Sequence, residues 1–386
     1  MTTPQLLYVN EVNHIIGRFP PPLDGQTVMT RRLAEMIEQV GPVRRVDLST
    51  GEAGHAESDV AFSFDKVRHY WGRQQELREA LAEGDGVVLW TSISPSTLGH
   101  FRDLVTVQPA LAGRTRVYGV VHWGKFHELF ERPTTRLTAE RLVSNLAGLV
   151  FLSDTLAERC APWVADEKRL VIPNTIGDDL RCSEGDVLAK QQGRQERAAL
   201  RLLFLSNMTP AKGYSEVIEA ARVLRERGRA FTLELAGRWE TETDKADFER
   251  YVADHHLGDH VMHHGGVKDR TRVRDLHLRA DAFLLPTYYP TEAQPLTIIE
   301  AMNAGTPIVT TRHAGIPDML EDEREGLFVP AKDARSLANA IERLYDVTFW
   351  TRLSQGARLR FLEQFRPEVV AEMWAALVRA AQNREA

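Results

Sequence analysis

Along most of the chain, short apolar runs bounded by turn residues alternate with longer segments whose apolar residues recur at helical spacing. The short runs predict strands at residues 6–10, 43–48, 60–64, 86–90, 116–122, 149–152 and 169–172, with helices between most of them. After Pro173 the text turns polar, and residues 181–197, RCSEGDVLAKQQGRQER, read as a linker or exposed connection. The alternation then restarts, with strands at 200–205, 231–236, 261–264, 282–285 and 308–311. Helices are predicted after Lys212, around 244–256, up to Arg279 and from Pro295. The tail from 333 is helical by pattern, with Pro367 in the first turn of the last helix. Strand and helix in alternation predict an α/β fold built on parallel sheets.

A length of 386 residues exceeds one ordinary core and implies two such domains. The expected division is 1–185 and 198–365, followed by a last helix over 366–386. Ligands of open parallel sheets gather at the carboxyl ends of the strands, so the cleft between two such domains is the place to look for chemistry.

Composition narrows the field. At 43% hydrophobic and 26% charged residues the chain is globular, and a formal net charge of -6 argues against a general nucleic-acid binder, which needs basic surface. Cys160 and Cys182 are too few for a disulfide framework and have no metal-ligand spacing, which fits the cytoplasm. The first residues lack the marks of a signal peptide, and no apolar stretch approaches the ~20 residues that span a bilayer. Membrane contact, at the inner face, would be peripheral. Lys66, Arg68, Arg73 and Arg78, interleaved with Tyr70 and Trp71, read either as a weak patch for it or as a solvated helix face.

The richest segment is 288–305, YYPTEAQPLTIIEAMNAG. A helix starting at Pro295 leaves Glu292 in the preceding loop and raises Glu300 about 7.5 Å up the axis. Two carboxylates so placed serve two different places. Between them, around Ala293, Gln294, Pro295, Leu296 and Thr297, unpaired amides and the positive end of the helix dipole suit a diphosphate. Taken alone the pair is equally a surface glutamate and a helix glutamate. In 202–224, LLFLSNMTPAKGYSEVIEAARVL, Lys212 follows a strand and can meet phosphate as a point charge, while Gly213 permits close backbone approach. A solvated lysine beside a turn glycine is the plain alternative.

The glutamate segment resembles the Glu-x7-Glu signature of the family-4 retaining glycosyltransferases. Its continuation, GTPIVTTRHAGIPDMLEDEREGLFVP, follows that family almost position by position. The Lys212–Gly213 pair resembles the family's diphosphate loop, although an arginine usual in that loop is replaced here by Ser206-Asn207-Met208, where Asn207 can still donate a hydrogen bond. FTLELAGRW resembles the family's strand ending in glycine. The loop with Gly266 and Val267 looks like the one whose backbone meets the nucleobase. In the first half, FPPPLDGQTVMTRRLAEMI resembles the amino-terminal loop near phosphates and acceptor, with Gly25 the position carried over or simply a turn glycine. His122, ending RVYGVVH, matches a family histidine that faces donor hydroxyls or the reacting phosphate; its other reading is a partly buried histidine satisfied by backbone.

The resemblance implies a GT-B fold, two Rossmann-like domains facing across a cleft, with the last helix, 366–386, able to pack back on the first domain. It implies transfer of a hexose-like unit, with retention, from a UDP- or GDP-sugar to a carbohydrate, lipid-linked sugar or small-molecule acceptor. Glu292 would bind donor hydroxyls, Glu300 the ribose, Lys212 and Asn207 the diphosphate, and His122 and Gly25 would face the reacting centre. No Asp-x-Asp occurs, so no metal or other cofactor is expected, and the helix end with Lys212 would carry the phosphate charge. Rival readings are a nucleotide-sugar hydrolase or epimerase and a non-catalytic sugar- or nucleotide-binding protein.

Overall fold

The computed structural model describes residues 12–21, 24–49, 72, 75–79, 86–112 and 115–383. The strands expected at 6–10 and 60–64, and most of the basic patch around Lys66, lie outside these residues. The chain divides into two compact units, Met1–Asn174 with Glu368–Ala386, and Thr175–Pro367.

Unit 1 carries six parallel strands, β1 (Asn13–Gly17), β2 (Val43–Asp47), β3 (Val88–Trp90), β4 (Val117–Val121), β5 (Gly148–Phe151) and β6 (Arg169–Val171), in the order β2-β1-β3-β4-β5-β6. The near-continuous apolar runs VYGVV and GLVF are buried throughout, as expected of strands covered on both faces. Helix α1 (Gly25–Glu38) covers the sheet through Leu33, Ala34 and Ile37. The same core holds Val370, Trp374 and Val378 of the last helix, Pro367–Asn383, and Arg116 donates to the Ala381 carbonyl at 2.7 Å.

Unit 2 repeats the plan with β7 (Leu200–Leu205), β8 (Phe231–Ala236), β9 (Val261–His263), β10 (Ala282–Leu285), β11 (Ile308–Thr311) and β12 (Gly326–Val329). Their order, β12-β11-β10-β7-β8-β9, is all parallel and reverses direction between β7 and β10, the place where ligands settle in doubly wound sheets.

The segment read as a linker is a helix, α2 (Glu184–Gln195), within unit 2. Ser183 and Asp186 form a capping box at its start, and its buried face is Val187, Lys190 and Arg194. The two charged side chains disguise that face, because their heads are satisfied by distant carbonyls: Lys190 by His277 and Ala304, at 3.0 and 3.1 Å, and Arg194 by Leu344 at 3.0 Å. Two further helices matter to the site, α3 (Tyr214–Glu226) and α4 (Arg270–Arg279), followed by α5 (Leu296–Asn303). Pro295 is the cap residue of α5 rather than its first helical residue. At its far end Gly305, at φ 58°, closes the helix, with Thr306 N–H donating to the Ala301 carbonyl and Gly305 N–H to that of Met302. Among the described residues no helix is long and apolar enough to cross a membrane.

Candidate active site

The loops after β7 and β10 meet at the switch point of unit 2. After β7 the chain turns through Pro210–Lys212 into Gly213, whose φ is 90°. A Cβ at Gly213 would lie 2.6 Å from the Pro286 carbonyl oxygen, so both conformation and space require glycine. This close approach sets Lys212 against the loop that follows β10. Tyr288 N–H donates to the Ala211 carbonyl at 2.8 Å, and Lys212 Nζ reaches Glu292 Oε2 at 2.5 Å. The ammonium also lies 4.6 Å from the centre of the Tyr289 ring.

Glu292 itself is 9% exposed, and Thr287 donates to the same carboxylate oxygen at 3.4 Å. The loop bearing Glu292 is pinned from the β11 side. His313 Nε2 meets the Tyr289 carbonyl at 2.8 Å, and Gly315 N–H donates to that of Ala293 at 3.1 Å. Ala293, Gln294 and Pro295 are buried, and α5 then begins with no side-chain cap and no acidic residue in its first turn. Among the described residues its amino end therefore keeps its dipole uncompensated, with the Leu296 and Thr297 amides unpartnered.

Glu300, one turn into the helix, is 4% exposed. Arg270 Nη2 donates to its Oε1 at 2.8 Å, while Oε2 lies 3.6 Å from His277 Nε2, beyond hydrogen-bond reach. Burial opposes ionisation of Glu300, yet the His277 contact and the Arg270 guanidinium hold its carboxyl down at about 2. Burial pushes the His277 imidazole down, against the pull of Glu300. Asn207 is exposed on the loop after β7. Beside it Gly237 packs on that loop so tightly that a Cβ there would lie 1.7 Å from the Ser206 carbonyl oxygen. Gly266 is exposed on the loop after β9, and Val267 packs against the core.

His122 and Gly25 belong to unit 1. His122 follows β4 with a buried Nε2 that has no hydrogen-bond partner among the described residues, and burial lowers its imidazole to about 4 against the opposing charge of Asp24. Asp24 caps α1, accepting from Thr27 N–H at 2.8 Å and pairing with Arg18 at 3.4 Å, and Gly25 is the first helical residue.

Sequence reasoning had not anticipated the partners. Arg270 and His277 on α4 surround Glu300, and Thr287 and Tyr289 attend the Lys212–Glu292 pair. Arg270 follows shortly after Gly266 and Val267, but nothing in a linear pattern ties it to a glutamate thirty residues later.

The description glycosyl transferases group 1 matches residues 189–357, a range that contains Lys212, Glu292 and Glu300. The amylovoran biosynthesis glycosyltransferase AmsK of Erwinia amylovora is 33% identical over 149 residues, 38% of this chain and 36% of that protein. A glycogen synthase of Mycobacterium tuberculosis is 30% identical over 193 residues, 50% of this chain and 45% of that protein. The chain thus spans about half or less of the curated relatives it matches. Among solved structures, Alr3699/HepE of Anabaena in complex with UDP superposes with a TM-score of 0.72 at 15% identity, covering 96% of this chain and 100% of that one. Two parallel six-stranded α/β units and these likenesses establish a GT-B fold, and residues 189–357 match the family described as glycosyl transferases group 1.

Proposed function

We propose that the protein is a retaining, metal-independent glycosyltransferase that moves a hexose-like unit from a UDP- or GDP-sugar to a carbohydrate, lipid-linked sugar or small-molecule acceptor. The observation that carries this reading is the Lys212–Glu292 pair set beside the uncapped amino end of α5 at the sheet's switch point. A diphosphate placed there meets an ammonium, two free amides and a helix dipole, and gains charge stabilisation without a metal. Glu292 is beside that position, within reach of the hydroxyls of a sugar attached to the outer phosphate. Glu300 stands one turn further on, suited to the ribose hydroxyls, and the backbone at Gly266 and Val267 to the base. The names of the two sequence relatives favour polysaccharide assembly, with glycolipid or natural-product glycosylation as further settings, on the cytoplasmic side.

In the transfer, the acceptor hydroxyl forms its bond to the anomeric carbon on the face from which the diphosphate departs. The breaking bond delivers its electron pair to the phosphate oxygen, and that oxygen takes the acceptor's proton. Lys212 and the α5 amides stabilise the charge that builds on the leaving group. His122, neutral over the ordinary pH range, serves as a hydrogen-bonding group toward the reacting sugar, with Gly25 beside it.

Turnover of UDP- and GDP-sugars, followed by nucleotide release and by NMR of the product's anomeric centre, tests the reading. The expected result is acceptor-dependent release that persists in excess EDTA and gives a retained configuration. Loss in EDTA with rescue by Mg or Mn removes metal independence. Equal release without acceptor indicates a hydrolase, an altered donor an epimerase, and binding without turnover a non-catalytic clamp.

A further inference from the structure

Glu300 has one carboxylate oxygen to offer a ligand. Its Oε2 is buried, without a hydrogen-bond partner among the described residues, and lies 3.6 Å from Nε2 of the equally buried His277. That leaves Oε1, the atom to which Arg270 Nη2 donates at 2.8 Å. Whatever binds the carboxylate therefore meets the arginine as well. A hydroxyl that donates to Oε1 lies ~2.5–3.0 Å from it, so hydroxyl and guanidinium, sharing one acceptor, are no more than ~6 Å apart.

Local structure fixes the arginine in this place. Asp269 caps α4, accepting from Thr271 N–H at 2.9 Å and from Arg272 N–H at 3.4 Å, which makes Arg270 the first helical residue. A second carboxylate steadies the guanidinium, with Nε 3.8 Å from Oδ2 of Asp179 in the turn Asp178–Leu180. Nε is thus turned to one acid and Nη2 to another, while Nη1, on the same rigid fork, has no partner among the described residues. The arginine side chain is 34% exposed against 4% for that of Glu300, so of the two it is the arginine that a ligand meets first.

A carboxylate oxygen beside a guanidinium suits a group that both donates and accepts. A hydroxyl does both: it gives its proton to Glu300 Oε1 and accepts an N–H from Arg270 on a lone pair. We infer that Arg270 is a specificity-determining residue for the ribose, holding with Glu300 one ribose hydroxyl in both senses. A nucleotide without that hydroxyl leaves the guanidinium as well as the carboxylate unanswered. The inference rests on reading Glu300 as the ribose-binding group.

The test is calorimetry on the full chain with UDP and its 2′-deoxy and 3′-deoxy forms, and with the same three forms of GDP. The unaltered chain is expected to bind a ribonucleotide at least about tenfold more tightly than one of its deoxy forms. Arg270→Gln should reduce that preference to about threefold or less, by weakening the ribonucleotide and leaving the deoxy form nearly as it was. Arg270→Lys keeps a charge beside Glu300 but not the planar fork, and its preference should fall between the two. An equal loss of ribonucleotide and deoxynucleotide would make Arg270 a structural support and overturn the inference, as would a full preference kept by either variant. If the unaltered chain binds ribonucleotide and both deoxy forms alike, or if Glu300→Gln keeps the preference, it is the reading of Glu300 that fails.

Discussion

Glu292 and Glu300 are both buried carboxylates, but their partners differ in a way that separates their effects. Glu292 shares its charge with a lysine that a phosphate can also use, whereas Glu300 is held by Arg270 and stands by His277. Glu300→Gln is expected to weaken free nucleotide and nucleotide sugar alike, by about 1.5 to 3 kcal/mol, the worth of a charged hydrogen bond. Glu292→Gln should leave free-nucleotide affinity nearly unchanged, or raise it slightly by releasing Lys212, and should lower transfer from the full donor. Calorimetry with the diphosphate and initial rates with its sugar measure the two terms on the same variants. An equal fall in nucleotide affinity for both substitutions overturns the assignment of one carboxylate to each end of the donor. At this scale the sequence showed which residues carry charge and which turn is glycine-bound. It did not show which charges meet, because Lys212 and Glu292 are eighty positions apart and are joined only by the sheet order that sets β7 against β10.

Among the elements, α2 is the clearest lesson. Strands such as VYGVV and helices such as α5 advertise their burial through apolar residues, so their approximate positions were legible. The buried face of α2 contains Lys190 and Arg194, and polarity by itself argued for a solvated connection. What makes the burial tolerable is a set of carbonyls from elements far along the chain, which no local pattern reveals. Lys190 fastens α2 under the junction of α4 and α5, the two helices that bring Arg270, His277 and Glu300 together. Burial pushes its ammonium from the ordinary 10.5 down to about 7, against the pull of Asp281. Between those values the unfolded chain binds the proton that the folded chain has released, so the Lys190 contribution to stability rises with pH there. Lys190→Met, which takes the ammonium donor from the His277 and Ala304 carbonyls, should cost about 1 to 3 kcal/mol near pH 7. The gap from the unaltered chain should widen toward pH 9.5 in urea denaturation. A gap that narrows instead would mean the buried lysine keeps its proton throughout.

For the molecule as a whole, the telling feature is that unit 1 is assembled from two stretches of chain with all of unit 2 between them. Val370, Trp374 and Val378 complete a core begun by Ile15, Leu33 and Val120. Side chains of this kind contribute about 1.5 to 3 kcal/mol each when buried, which together is comparable to the ~5 to 15 kcal/mol by which a domain is stable. A chain ending at Pro367 should therefore lose amide protection in β1, β3 and β4 while β7, β10 and β11 keep theirs, as hydrogen exchange would read. Undiminished protection in unit 1 would show that the last helix is an ornament to that core. The alternating pattern made two α/β units legible, and Pro367 marked where the last helix starts, but membership of that helix in unit 1 is a fact of packing. The arrangement also dictates an order of manufacture. A ribosome delivers every residue of unit 2 before it reaches Trp374, so the unit that comes second in the chain can close its core while the one that comes first still has a gap. The amino-terminal unit, usually the earliest to fold during synthesis, is here the last to be finished.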